Sequence, residues 1–218
     1  MTWNYFWAGN SGDQPRYHQF SYRNCAVGCG PVAWAILIGW ADRQAAFGNA
    51  YWAGRWGLYR ENGGRGADAV APIHQDDGVK NMIVEIHHGV GTFCLAGQGA
   101  TTPWGMGGVA SYLNGRTGAR AVTHYNVLGI HETRLANDAA SSIAYRRTPA
   151  VIGTGWFSHY PVAWGYAWQR RIVRKSILWF EWTETVTDTA FYVNQGWGGG
   201  GHGQWIDAGT WFAGELYP

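Results

Sequence analysis

Charged residues are scarce in this sequence. Asp, Glu, Lys and Arg together make up 14% of its 218 residues, against about 25% in an average soluble domain. The 16 basic and 14 acidic residues nearly balance, and the local basic cluster at 170–175 is short. Proteins that bind nucleic acid usually carry a broad basic patch. We therefore expect no nucleic-acid partner.

Long apolar runs are also missing. The longest run, at 32–41, has about ten residues, whereas a membrane-spanning helix needs about 20. The segment 1–5 has neither the basic region nor the apolar region of a signal peptide. We expect no membrane span. The sequence leaves the location open, although its low charge content is compatible with a secreted protein or a delivered effector.

Cysteine is rare as well. The chain has three cysteines, which can form at most one internal disulfide and leave one thiol. Other residue types are abundant, with 33 glycines, 15 tryptophans and an apolar fraction of 46%. This apolar content can offset the entropy cost of ordering the chain. We therefore expect a single folded domain over 1–218.

The pattern of apolar residues differs between the two halves of the chain. The first half has helical spacing, and the second half has short segments rich in β-branched and aromatic residues. The predicted helices cover about 30–47, 77–88, a segment after Thr102-Pro103, and 132–146. The predicted strands cover 121–124, 150–155, 159–168, 172–182 and 190–194. Helices followed by strands indicate an α+β fold, with a helical lobe at about 1–120 and a β lobe at about 121–218.

Cys29 lies in the segment Gly28-Cys29-Gly30-Pro31, at the predicted start of the first helix. Proline is favoured in a first helical turn, so the sulfur should lie at the amino end of the helix. The helix dipole and the free backbone N–H groups there lower the pKa of a thiol, and the thiolate is the nucleophilic form. The alternative is a buried, inert cysteine.

A nucleophilic cysteine needs a histidine that takes and returns a proton. Among eight histidines, His159 follows a turn and begins a predicted strand, so it can project an imidazole from the edge of a sheet. His124, in a shorter strand, is the second candidate. Either could instead be a core histidine with a satisfied hydrogen bond.

Asn194 ends the last predicted strand, directly before a glycine-rich loop that contains Trp197. An asparagine oxygen can accept a hydrogen bond from an imidazole N–H and select the tautomer, and an indole beside that bond excludes water. The alternative is a common turn asparagine.

Together, Cys29 at a helix start, His159 on a strand and Asn194 before a Trp-Gly loop resemble the papain-like cysteine peptidase superfamily. The segment 193–199, V-N-Q-G-W-G-G, resembles the corresponding loop of streptopain-type bacterial peptidases. The segment 28–33 is similar to the C-G-P helix start of double-glycine leader peptidases. The C-G-S-C-W motif of papain and the cathepsins is absent.

The resemblance implies a papain-like fold, in which the helical lobe packs on an antiparallel, barrel-like β lobe. It implies a monomer that hydrolyses protein or peptide substrates through a thioester with the Cys29-His159-Asn194 triad, without cofactor or metal.

The resemblance also implies roles for further residues. Gln14 would donate its amide N–H to the oxyanion, with Gln19 as the competing candidate, and Trp197 would shield the imidazole. A disulfide between Cys25 and Cys94 is implied, whereas two reduced thiols are the alternative. The residues expected to line the substrate cleft are Gly99, Trp104, Gly155 and Trp156.

Two other functions remain open from the sequence. An acyl-transfer enzyme, such as a transglutaminase or a deamidase toxin, usually has Asp as its third residue, and Asp188 and Asp207 are close in sequence to Asn194. A catalytically inactive relative could bind glycans or proteins through its many aromatic residues. A metal site at His87-His88 is disfavoured, because adjacent helical side chains point about 100° apart.

Overall fold

The computed structural model describes residues 2–55, 57–59, 69–114, 118–155, 157–198 and 200–218. The α-helices are α1 (Cys29–Ala46), α2 (Asp77–Gly89), α3 (Ala110–Leu113) and α4 (Thr133–Ala144). The strands are β1 (Asn4–Trp7), β2 (Ser21–Tyr22), β3 (Cys25–Ala26), β4 (Phe93–Leu95), β5 (Gln98–Ala100), β6 (Arg120–Tyr125), β7 (Ala150–Ile152), β8 (Val162–Ile177), β9 (Phe180–Trp197), β10 (Gly200–Asp207) and β11 (Phe212–Tyr217). Three short 3₁₀ helices cover Ser11–Asp13, Ala50–Trp52 and Gly105–Val109. The mixture of helices with a large antiparallel sheet confirms the α+β class.

Most of the strands form one antiparallel sheet, in the order β10-β9-β8-β7-β11-β6, with β1 also paired to β8. Among the strands that the structure describes, the sheet stays open and no barrel closes. The expectation of a barrel-like β lobe is therefore wrong. The division at about residue 120 is also too simple, because β1 comes from the segment expected to be helical and joins this sheet.

Helices pack on both faces of the sheet. Successive residues of a strand point to opposite faces, so Val151 lies in the core cluster of α1 while Ile152 lies in the cluster of α4. The α1 cluster holds the large side chains Trp34, Trp40 and Trp164, which explains why α1 is buried on nearly all sides. The sheet is therefore the middle layer between two helical layers.

Three of the predicted helices correspond to α1, α2 and α4 within a few residues at each end. The helix expected after Thr102-Pro103 begins as the 3₁₀ segment Gly105–Val109 and becomes α3. Within the described ranges, no helix is both long enough and apolar enough to cross a membrane.

The strands β8 and β9 are longer than expected and form a two-stranded ribbon, which we call the β8–β9 ribbon. The predicted strand 172–182 contains the turn of this ribbon, since Ile177 pairs with Phe180 across Leu178-Trp179. The prediction of one continuous strand over 172–182 is therefore wrong. The turn was missed because Leu178 and Trp179 are not residue types typical of a tight turn.

Candidate active site

Cys29 is the first residue of α1, and the chain just before it packs directly on β5. Gly28 has a φ of +100°, and a Cβ there would lie 3.2 Å from the carbonyl oxygen of Gly99. A Cβ on Gly99 would lie 2.6 Å from the Gly28 nitrogen. Glycine is required at both positions because the two backbones touch. This contact fixes where the helix starts and where Cys29 lies.

The disulfide Cys25–Cys94 joins β3 to β4. Beside it, the Ala26 N–H donates to the Gly97 carbonyl at 3.0 Å, so the two hairpins are held together immediately before Cys29. All three cysteines lie in the described part of the chain, and Cys29 is the one left free. This confirms the pairing implied by the resemblance.

The thiol of Cys29 is half-buried, and burial is the largest influence on its pKa. Burial raises the pKa of Cys29, while the backbone N–H groups of Tyr160, Cys29 and Gly30 lower it by a smaller amount. The N–H groups at the helix start lower the pKa of this thiol as expected, but burial outweighs them and the net shift is upward. Cys29 is a neutral thiol at pH 7.

His159 lies at the end of a tight turn, where its backbone exchanges hydrogen bonds of 2.9 and 3.3 Å with Thr154. Its Nε2 lies 3.0 Å from the carbonyl oxygen of Gln195. A carbonyl oxygen can only accept, so Nε2 carries the proton and Nδ1 has a free lone pair in the neutral ring. Burial lowers the pKa of His159, against a smaller raising effect of Gln195. The imidazole is therefore neutral at pH 7, with Nδ1 as the basic atom.

Tyr160 connects the histidine segment to the cysteine. Its backbone N–H interacts with the Cys29 thiol and lowers the pKa of that group, so the sulfur lies beside the residue that follows His159 in the chain. Its hydroxyl donates to the Thr101 carbonyl at 3.1 Å, and its ring packs on Trp211. Burial and the proximity of Cys29 raise the pKa of Tyr160, which keeps this hydroxyl protonated as a donor.

Trp197 covers the imidazole. Its ring centroid lies 5.5 Å from that of His159 with an interplanar angle of 31°. The indole is 55% exposed, so one side contacts water while the other limits access to the ring of His159. This placement agrees with the shielding role expected for Trp197, although the hydrogen bond beside it is the one to Gln195.

Among the described residues, Asn194 makes no hydrogen bond to His159, which corrects the expectation that its side chain orients the ring. The residue is fully buried, its Nδ2 donates to the Pro15 carbonyl at 3.0 Å, and its Oδ1 accepts from the Gly196 N–H at 2.9 Å. The residue that holds the imidazole is Gln195. Sequence reasoning missed it because the bond uses a backbone carbonyl, which every residue has.

Gln14 and Gln19 lie in different surroundings. Gln14 is 6% exposed, and its amide has no hydrogen-bond partner among the residues described. The bond between Asn194 and Pro15 ties the segment that carries Gln14 to the end of β9. Gln19 is half-buried and lines a shallow surface pocket beside Cys25. Among the described residues no hydrogen bond joins either glutamine to Cys29, so the oxyanion role of Gln14 stays a prediction, with Gln19 as its competitor.

The residues expected to line the cleft lie on two segments, one that packs on the start of α1 and one that leads into His159. Gly99 packs against the start of α1, and Trp104 is an exposed residue a few positions further on. On the other side, the Gly155 carbonyl accepts from the Trp211 indole at 2.5 Å and holds the turn before His159. The proposed wall residue Trp156 lies outside the described residues.

No cluster of three or more His, Cys, Asp or Glu suited to a metal ion occurs in the described part of the chain. Comparisons with protein-family models, with curated proteins and with solved structures return no match. The functional assignment therefore depends on the chemistry of the site itself.

Proposed function

We propose that this protein is a cysteine peptidase with a papain-like site, in which Cys29 is the nucleophile and His159 is the general base. One observation carries the proposal. The free thiol at the start of α1 lies close enough to the backbone N–H of Tyr160 for that group to lower its pKa, and Tyr160 follows His159, whose Nδ1 keeps a free lone pair because Nε2 donates to Gln195.

Because Cys29 and His159 are both neutral before substrate binds, the reaction would begin with a proton transfer between them. His159 Nδ1 takes the Cys29 proton as the sulfur attacks the carbonyl carbon of the substrate. The oxyanion accepts hydrogen bonds from the Cys29 backbone N–H and the Gln14 amide, and one such donor typically contributes about 10²–10³ in rate. The imidazolium then protonates the leaving amine, and a thioester forms. His159 next takes a proton from water, which attacks the thioester and releases the acid and the thiol.

Gln195 would stabilise the imidazolium in both steps. Its carbonyl already accepts from Nε2, and its side chain also raises the pKa of His159. The side-chain Oε1 is buried and has no hydrogen-bond partner of good geometry within the described residues. A buried acceptor without a donor becomes favourable when a positive charge develops beside it. Gln195 thus acts as a positioning residue.

The acyl-transfer alternative has less support. Asp188 accepts from Arg171 at 2.7 Å on the β8–β9 ribbon, and Asp207 accepts from the Gly209 N–H at 2.7 Å. Neither carboxylate is a hydrogen-bond partner of His159 among the described residues, so the third position has no Asp.

A peptide-library digestion tests the proposal, with cleavage products identified by mass spectrometry. We expect the wild type to cut peptides, and Cys29→Ala and His159→Ala to lose cleavage while their thermal unfolding stays cooperative. His124→Ala is the matched control because His124 is also half-buried on a strand, and it should retain cleavage. Cleavage by Cys29→Ala would refute the assignment, as would glutamine deamidation without chain cleavage by the wild type.

A further inference from the structure

The tip of the β8–β9 ribbon is an exposed apolar cluster, formed by Ile177, Leu178, Trp179 and Phe180. Their exposed fractions are 65%, 85%, 88% and 67%. Four consecutive large apolar side chains at this level of exposure are unusual on a folded domain, and such patches typically mark interaction sites.

Leucine and tryptophan at the turn do not stabilise the hairpin. A two-residue hairpin turn whose first central residue has a positive φ favours glycine at that position. Here Leu178 has a φ of +55°, a conformation that is unfavourable for leucine. The turn therefore combines backbone strain with exposed apolar surface, and a function of the tip explains both.

We propose that this tip inserts into the interfacial layer of a lipid bilayer that contains anionic phospholipids. Trp and Phe favour that layer because their rings are partly apolar and tolerate the headgroup region. The tip is a convex projection at the end of two strands, a shape that penetrates between lipids to the depth of about 5–10 Å typical of interfacial segments.

The charges behind the tip favour anionic lipid. The segment 170–188 has four basic and three acidic residues. On one face, Arg171 is paired with Asp188 and Lys175 with Glu184. On the other face, Arg170 and Arg174 stand opposite Thr187 and Thr183, with no acid directly across, while Glu181 stands opposite Ser176 nearer the tip, so two basic residues and one acidic residue leave this face with a net charge of +1.

The position of Arg174 fits the dimensions of a bilayer surface. It precedes Ile177 by three residues, which corresponds to about 10 Å along a strand. With the tip at the acyl boundary, this guanidinium reaches the layer of phosphates, and a basic residue near such a surface contributes to binding.

A second copy of this chain fits the tip less well. Stable dimer interfaces bury about 1,200–2,000 Å² in total. Two convex tips of four side chains each would touch over a much smaller area.

Vesicle flotation tests the proposal, with the whole chain and without any peptide substrate, so the result does not depend on peptidase activity. The vesicles contain phosphatidylcholine alone or an equal mixture with phosphatidylserine. The test variant is Leu178→Gly/Trp179→Asn, which places glycine at the turn position with a positive φ and is therefore expected to fold as well as the wild type. The matched control is Val127→Ser/Leu128→Ser, which removes two exposed apolar side chains elsewhere.

We expect the wild type and the control to float with the mixed vesicles. The tip variant should lose about tenfold or more of the bound fraction, because two of the four apolar side chains are gone. Arg170→Gln/Arg174→Gln should remove the preference for phosphatidylserine, and added salt should weaken wild-type binding. The proposal fails if the wild type does not float, or if the tip variant floats equally well. It also fails if sedimentation reveals a dimer that only the tip variant abolishes.

Discussion

The Nε2 atom of His159 lies 3.0 Å from the carbonyl oxygen of Gln195. This bond determines the tautomer of the imidazole, because a carbonyl cannot donate, and so leaves Nδ1 as the base. The neighbouring Asn194, whose residue type suggested that role, instead joins Pro15 to Gly196.

Substitutions at the two neighbouring positions should therefore have different effects. Asn194→Ala removes two buried hydrogen bonds and should lower the free energy of unfolding by about 1–3 kcal/mol, because it leaves backbone groups unpaired. The bond from His159 to the Gln195 carbonyl remains, so the folded variant should keep most of its kcat at low temperature. Urea unfolding and peptide cleavage measure the two effects. A stable but inactive Asn194→Ala would contradict this division of roles.

Gln195→Ala should affect catalysis more than stability. The backbone carbonyl stays, but the imidazolium loses the side-chain acceptor. We expect kcat to fall about tenfold, which corresponds to the loss of one charge-assisted hydrogen bond of about 1.5 kcal/mol. The pKa of His159 should fall further, because the side chain of Gln195 now raises it. An NMR titration of the imidazole measures that shift. An unchanged titration would mean that the Gln195 side chain has no positioning role.

Stability should decrease on both sides of neutral pH because of the active-site pair. Burial lowers the pKa of His159 in the folded protein. Just below the ordinary histidine pKa of about 6.5, only the unfolded chain therefore binds the proton, and the stability of the folded protein falls as the pH falls through this range. Burial raises the pKa of Cys29, so the unfolded chain loses its proton first above about 8.5, and stability falls as the pH rises.

Urea unfolding across the pH range measures these two contributions. His159→Ala should flatten the acid side of the stability profile, and Cys29→Ala should flatten the alkaline side. In an ion pair the acid-side loss would come from the Cys29 thiolate and the alkaline-side loss from the His159 imidazolium, so Cys29→Ala would flatten the acid side instead.

Loss of the disulfide should destabilise the protein strongly. Cys25 and Cys94 are 69 residues apart in the chain, and the chain-entropy model assigns such a loop about 4 kcal/mol. We expect Cys25→Ser/Cys94→Ser to lower the free energy of unfolding by about that amount, as measured with urea. Cys29→Ser is the control, because it keeps the disulfide. Equal stability of the two variants would show that the disulfide contributes little.

Gly99→Ala should displace the start of α1. The added Cβ would meet the backbone of Gly28, which cannot move aside as a flexible side chain can. Overpacking of this kind costs about 1–3 kcal/mol, and the shift of Cys29 should also abolish cleavage. Gly12→Ala is the control, since nothing lies within 4 Å of the new Cβ. Full activity of Gly99→Ala would show that the contact does not position the nucleophile.

The local elements of the fold were largely predictable. α1, α2 and α4 follow from helical spacing together with Pro31 near the start of α1, and these signals act within a few turns of chain. The turn at Leu178-Trp179 was not predictable, because neither residue carries a turn signal. The open sheet was missed as well, since the pairing of β1 with β8 joins segments far apart in the sequence.

The sequence alone determined which side chains are available for the proposed chemistry: a thiol at a helix start, an imidazole at the start of a strand, and a tryptophan in a glycine loop. Only the tertiary structure decided how they are arranged. It paired His159 with the Gln195 backbone, because hydrogen bonds of this type depend on where the chain passes. It also raised the pKa of Cys29, because burial depends on every segment packed around the sulfur and outweighs the helix end that the local sequence provides.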